Sequence, residues 1–229
     1  MENAIQASYN AYLEHGARSN KKLIPLHSYL AETLRQHMPS DTHVYADLGE
    51  EAGKLSGEVK VSGAYYPKNI DVTGVLGNVR KTGKKQITLK EGAETKFCLG
   101  VKFITSNYHQ NKNNYFESMI GETSNIQATG VPYAQFLVIP TQIPYFNSKK
   151  ILQRFETFNG SELAQYVKLA MDAGKLHSPF FIGIKLVDIN YETKVVTLLE
   201  DTHLDDLHPG ASKLLSWDKH LSDLAERLR

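Results

Sequence analysis

The sequence predicts an α/β fold with a central mixed sheet flanked by helices. Three observations carry this expectation. Apolar residues recur at helical spacing near both ends of the chain, and between residues 57 and 105 the pattern changes to alternation. The stretch "YAQFLVIPTQI" (133–143) is too continuously apolar for a surface strand and suits the centre of a sheet.

Taken in order, residues 2–15 and 24–38 read as helices. In the second, Leu26, Tyr29, Leu30, Leu34 and Met38 lie at roughly helical spacing, and Pro39 stops it. "DTHVYADLGEEAGKL" (41–55) is expected to form another helix, ended near Gly53. "GEVKVSGAYY" (57–66) alternates and "NIDVTGVLGNV" (69–79) is β-branched with scattered glycines, so each is expected to be a strand. "KQITLKEG" extends this meander, and "TKFCLGVKFIT" (95–105) reads as a buried strand. A helix over 113–128 would place Phe116, Met119, Ile120, Thr123 and Ile126 on one face. Another, over 161–173, begins from Ser161 as its N-cap. "PFFIGIKLVDINY" and "TKVVTLLED" form a closing hairpin, and "SKLLSWDKHLSDLAERL" is an amphipathic helix. One domain over 1–229 accounts for this order most simply: a helical part at 1–43, a core at 44–145, and C-terminal strands and helices at 146–229.

Bulk composition narrows the function classes. With 41% hydrophobic and 22% charged residues, the chain has the composition of a soluble globular protein. No apolar run approaches the ~20 residues of a membrane helix. The start, "MENAIQASYNAYLEHG", holds acids and no apolar signal core, so the cytoplasm is the expected location. A single cysteine, Cys98, excludes an internal disulfide and a cysteine-rich zinc site. The net charge of +1 argues against a general polyanion binder and leaves a site-specific one open. The basic residues are concentrated, however. "NVRKTGKKQITLK" (78–90) carries Arg80, Lys81, Lys84, Lys85 and Lys90 with no acid, and reads either as a solvated hairpin tip or as an edge that contacts phosphates.

The chemistry is expected where strands end. Asp71 in "YYPKNIDVTG" and Lys102 in "LGVKF" fall at the ends of neighbouring predicted strands. Such a pair suits metal-assisted hydrolysis of a phosphodiester: the carboxylate holds Mg²⁺, and the lysine orients the attacking water or steadies developing charge. "YYPKNIDVTGV" followed by "CLGVKF" resembles the PD-(D/E)XK nuclease core, the fold of most type II restriction endonucleases, over roughly residues 44–145. The family's first Asp follows a proline by a few residues, here Pro67 and Asp71, and its lysine ends the next long strand. The resemblance implies a Mg²⁺-dependent endonuclease that cuts double-stranded DNA at a short specific site, acting as a homodimer without a membrane. A non-catalytic nucleic-acid or protein-binding module on the same fold is the alternative.

One departure sets the problem. The family carries Asp or Glu two residues before the lysine, and this chain has Gly100. Some restriction enzymes of this fold supply the glutamate from the following helix instead, which makes Glu117 and Glu122 candidates. Glu117 is preferred, as the residue nearest the chain that leaves Lys102. Glu51, by resemblance, could join the metal shell from upstream, and Glu58 could face either way. "SNYHQNKNNY" is expected to be a loop leaving the site. Its Gln110, Asn111, Asn113 and Asn114 could read base edges, with Lys112 on phosphate, or the stretch could be an ordinary polar turn. His109 there reads as a solvated loop residue.

Overall fold

The structure, a computed structural model, describes residues 1–17, 19–49 and 55–227. It contains a six-stranded mixed sheet, a four-stranded sheet and a two-stranded ribbon, so the expected mixed α/β architecture holds.

Two helices open the chain, α1 (Glu2–His15) and α2 (Ile24–His37), with a short 3-10 turn at Asn20–Leu23 between them. The strands follow: β1 (Thr42–Ala46), β2 (Glu58–Ser62), β3 (Pro67–Ile70), β4 (Val72–Leu76), β5 (Val79–Lys81), β6 (Gln86–Leu89) and β7 (Glu94–Phe103). Next come α3 (Tyr108–Gln127), β8 (Tyr133–Pro140), β9 (Gln142–Phe146), β10 (Leu152–Thr157) and α4 (Gly160–Met171). The chain closes with β11 (Ile182–Asn190), β12 (Val195–Leu198), α5 (Thr202–Leu207), α6 (Ala211–Leu215) and α7 (Trp217–Arg227).

The main sheet has the order β1-β4-β7-β8-β11-β12. Its first three strands are antiparallel, and β8 runs parallel to both β7 and β11. Every residue of β8 is buried, which explains its largely apolar sequence, with Gln135 the one polar side chain: a strand covered on both faces has no solvent side to alternate towards. One face packs on α1, α2 and α7 through Leu30, Leu34, Phe97, Phe136 and Trp217. The other packs on α3 to α6 through Met119, Leu137, Ile184, Tyr166 and Leu215. A third cluster, around Val61, Ile70, Val75, Ile87 and Tyr133, joins the small sheet β3-β2-β6-β5 to the main one.

Five expectations need correction. The helix expected at 41–55 is instead strand β1, where Thr42, Val44 and Ala46 alternate inward; residues 50–54, including Glu51, lie outside the described residues. The single strand expected at 69–79 is three short ones, β3, β4 and β5, divided between two sheets. Helix α3 starts at Tyr108, so most of the expected amide loop is helical. The cap of α4 is Asn159 rather than Ser161: Asn159 accepts from the Ser161 N–H, and Glu162 closes a capping box. The C-terminal helix breaks at Ser216 into α6 and α7.

That break is tied down by Lys185, which is only 5% exposed on β11. Its ammonium donates to Asp201 at 2.8 Å and to Asp218 at 2.7 Å, and the Ser216 hydroxyl also donates to Asp201. Burial disfavours the charge, yet the two carboxylate bonds raise the lysine pKa above its ordinary value. Asp201→Asn is therefore expected to lower the unfolding free energy by about 3 kcal/mol. The same change at the more exposed Asp218 should cost about 1 kcal/mol or less. Urea denaturation of both variants measures the difference.

Candidate active-site cleft

A cleft of 790 Å³ opens between the small sheet, the end of the 3-10 turn and the β7–β8 portion of the main sheet. Lys22, Glu58, Lys60, Lys68, Asp71, Lys102 and Glu122 line it, together with Gly100, Tyr133 and Gln135. Four lysines and three acids thus share the cleft, so it offers contacts to an anion and to a cation alike.

Asp71 is the single residue between β3 and β4, where the chain leaves one sheet for the other. Its Oδ2 accepts from the Val101 N–H at 2.7 Å, which fixes it beside β7. Burial pushes its carboxyl up to about 6; the Val101 bond opposes this, the charge of Glu122 adds to it, and Lys102 and Lys68 oppose it. Glu58 is likewise raised, first by burial and then by the charge of Asp71. His27 of α2 lies 3.9 Å from Asp71 and is 2% exposed, and burial pushes its imidazole down to about 4.

Strand parity places the rest. On β7, Phe97, Leu99, Val101 and Phe103 point into the α1–α2 core, so Cys98, Gly100 and Lys102 share the opposite face. Gly100 is in register with Gln135 of β8, and Cys98 with Tyr133, so Tyr133 and Gln135 look across the same face. A Cβ at residue 100 would lie 2.3 Å from the Tyr133 hydroxyl and 2.7 Å from Gln135 Oε1. The volume left by the absent acid is therefore filled by a phenol. That phenol donates to Glu122 Oε2 at 2.9 Å, while Lys68 Nζ lies 2.6 Å from Glu122 Oε1. Burial holds the Tyr133 hydroxyl protonated, with its pKa well above the ordinary value, so it remains a donor. Burial works against the Lys68 ammonium, but its bond to Glu122 outweighs this and raises its pKa.

The two candidate glutamates thus separate. Glu122 lies in the cleft, whereas the preferred Glu117 is exposed on the far side of α3, outside it. The expected wheel was misaligned by Ile120, which is 36% exposed; the face that packs runs through Tyr108, Met119, Thr123 and Ile126, and Glu122 belongs to its flank. Lys102 is in the cleft, its ammonium 5.4 Å from the centre of the Tyr115 ring. Lys22 lies close enough to Lys102 that burial, aided by that like charge, lowers its pKa.

The remaining candidates are scattered around this centre. Arg80, Lys81, Lys84 and Lys85 lie exposed on the β5–β6 hairpin; Lys85 pairs with Asp47 at 2.9 Å. Gln110, Asn113 and Asn114 are exposed on the first turns of α3. Asn111 is spent on the Asn107 carbonyl, and Lys112 lies 3.9 Å from Glu162. His109 is paired rather than merely solvated, with Nε2 2.6 Å from Glu162. Sequence reading missed His27, Lys22, Lys68 and Tyr133. The last two had a signal: Lys68 is within three residues of Asp71, and Tyr133 begins the strand that must pair beside Gly100.

Among the described residues, no three His, Cys, Asp or Glu side chains are grouped to hold a metal. Mg²⁺ nevertheless suits what is there, since it is commonly held by one or two carboxylates, waters and substrate phosphate, and Asp71 and Glu122 offer hard oxygens to a polar cleft.

No family model matches the chain, and no curated protein matches it. Among solved structures, NucC of P. aeruginosa ATCC27853 in its cAAA-bound form is similar over 99% of this chain and 87% of that one. The sequence identity is 10% and the TM-score 0.45, a likeness too remote to bear on the chemistry.

The Gly100–Tyr133 contact yields a coupling. Gly100→Ala is expected to destabilise the protein by about 1–3 kcal/mol through overpacking. Combining it with Tyr133→Phe, which removes the clashing oxygen, should cost less than the sum of the two single changes. Denaturation of the three variants measures the cycle.

Proposed function

We propose that the protein is a Mg²⁺-dependent endonuclease of the PD-(D/E)XK kind, cutting double-stranded DNA at a short specific site as a type II restriction enzyme and working as a homodimer. The observation that carries this reading is the convergence of Asp71, Lys102 and Glu122 on one lysine-lined cleft. The surrounding order supports it: three antiparallel strands, a helix and a parallel strand, with the acid and the lysine at strand ends.

In this reading the acid that the family carries two residues before the lysine comes from α3 as Glu122. Asp71 and Glu122 would hold the metal, and a bound Mg²⁺ would polarise the phosphate and acidify a water. The Tyr133 hydroxyl and Lys68 orient Glu122. Lys102 orients the attacking water and steadies charge on the phosphate, while Lys22 and Lys60 draw the backbone into the cleft. The hairpin with Arg80, Lys81, Lys84 and Lys85 extends the same small sheet and would meet flanking phosphates. Gln110, Asn113 and Asn114 are the exposed amides available for base contacts. A homodimer would present two such clefts to a two-fold site.

Incubation with phage DNA, with and without Mg²⁺, tests the reading. Discrete fragments that require Mg²⁺ support it; a gel shift with no cleavage would favour the binding module. Asp71→Ala should abolish cutting while the protein still binds DNA. Glu122→Gln is expected to cut about 100-fold more slowly or worse, and Glu117→Gln within a few-fold of wild type; equal losses would remove the special place of Glu122. Neutralising all four hairpin residues should flatten the salt dependence of DNA binding by about one unit per lost phosphate contact.

A further inference from the structure

The turn between β2 and β3, residues 63–66, displays two aromatic rings, Tyr65 at 79% exposure and Tyr66 at 47%. Exposed rings of this size are usually carried on mobile loops. This turn is fastened instead. The buried Asn125 of α3 accepts from the Tyr65 N–H at 2.9 Å and the Tyr66 N–H at 3.3 Å through Oδ1, and donates from Nδ2 to the Tyr66 carbonyl at 2.9 Å. The Asn125 carbonyl takes the Ala64 N–H at 2.8 Å. At Gly63 the amide sits so close that a Cβ would lie 2.1 Å from it. The N–H groups of Ala64, Tyr65 and Tyr66 are thus spent on Asn125 and that of Gly63 on the Tyr66 carbonyl, and the rings are held out with little loop entropy left to lose.

The position matters as much as the rigidity. The turn runs directly into Pro67, Lys68 and Asn69, which line the cleft, and the Tyr66 hydroxyl is near enough to act on the Lys68 charge. Asn125 lies one helical turn beyond Glu122, so a single face of α3 fastens both the turn and the cleft's acid. Rigid rings beside a row of ammonium groups match a polymer that alternates flat apolar faces with anions.

We infer that Tyr65 and Tyr66 form a fixed platform on which an unpaired nucleobase stacks while its phosphate lies in the lysine-lined cleft. This rests on the nucleic-acid reading above and adds to it that the strand enters with a base out of its stack. That base comes from a single strand, or from a duplex opened at the cleft.

Binding in EDTA, where no cleavage occurs, separates the two ideas. The probes are oligothymidylate, an abasic oligomer of equal length and charge, and a paired duplex. Wild type is expected to bind oligothymidylate about tenfold or more tighter than the abasic oligomer. Tyr65→Leu combined with Tyr66→Leu should erase that preference, and the double Phe variant should keep it. A preference that survives in the Leu variant, or none in wild type, overturns the platform while leaving DNA binding in place. If wild type binds none of the three, the nucleic-acid reading itself fails and the platform with it. A duplex that binds as tightly as oligothymidylate and loses the same factor in the Leu variant identifies the opened duplex as the source of the base.

Discussion

The bond from the Tyr133 hydroxyl to Glu122 is the constraint on which the cleft depends. It exists because Gly100 leaves a hole on the cleft face of β7, and because parallel register places Tyr133 beside that hole. Without it, Glu122 would be a helix acid answering only to Lys68. With it, the acid is held from two sides, by a neutral donor in the sheet and a charged one in the small sheet. Helix α3 also joins two apolar clusters, packing through Met119 in one and Ile126 in another.

The electrostatics of the cleft follow from this crowding. Asp71, Glu58 and Glu122 face one another in partial burial, and the first two have raised pKa values because their anions lack solvent and repel. The lysines offset part of that strain but not all of it, since Lys22 and Lys102 also repel each other. Adding a cation near the acids and an anion near the lysines would relieve both repulsions together. On the proposed function, a metal and a phosphate are such a pair.

Much of this was legible in the residues, and the failures are instructive. The buried strands β7 and β8, α1, α2 and the closing hairpin have periods strong enough to survive any context. Asp71 and Lys102 could be picked out by their places at strand ends, and both do line the cleft. The 41–55 stretch was expected to be a helix, whereas burial of Thr42, Val44 and Ala46 on one side decided for a strand at its start. Glu117 was preferred over Glu122 as the acid in the first turn of a helix expected to begin at 113, nearest the chain that leaves Lys102; α3 begins at Tyr108, so Glu117 lies farther along it and on its exposed side. The role of Tyr133 needed the third dimension: nothing in a linear sequence says that a phenol on one strand will occupy the space of a missing side chain on the next.

The division of the 69–79 stretch between two sheets has a mechanical meaning. The small sheet is joined to β4 at both ends by very short crossings, the single residue Asp71 and the pair Gly77–Asn78. Two fixed points define a line, so any rocking of the small sheet against the main one turns about the length of β4. Asp71 stands on that line, while Lys68 and the Tyr65–Tyr66 turn lie off it and are tied to α3 through Glu122 and Asn125. Those bonds act as stays: they brace the small sheet against turning about β4, and the carboxylate at the pivot keeps its place beside β7.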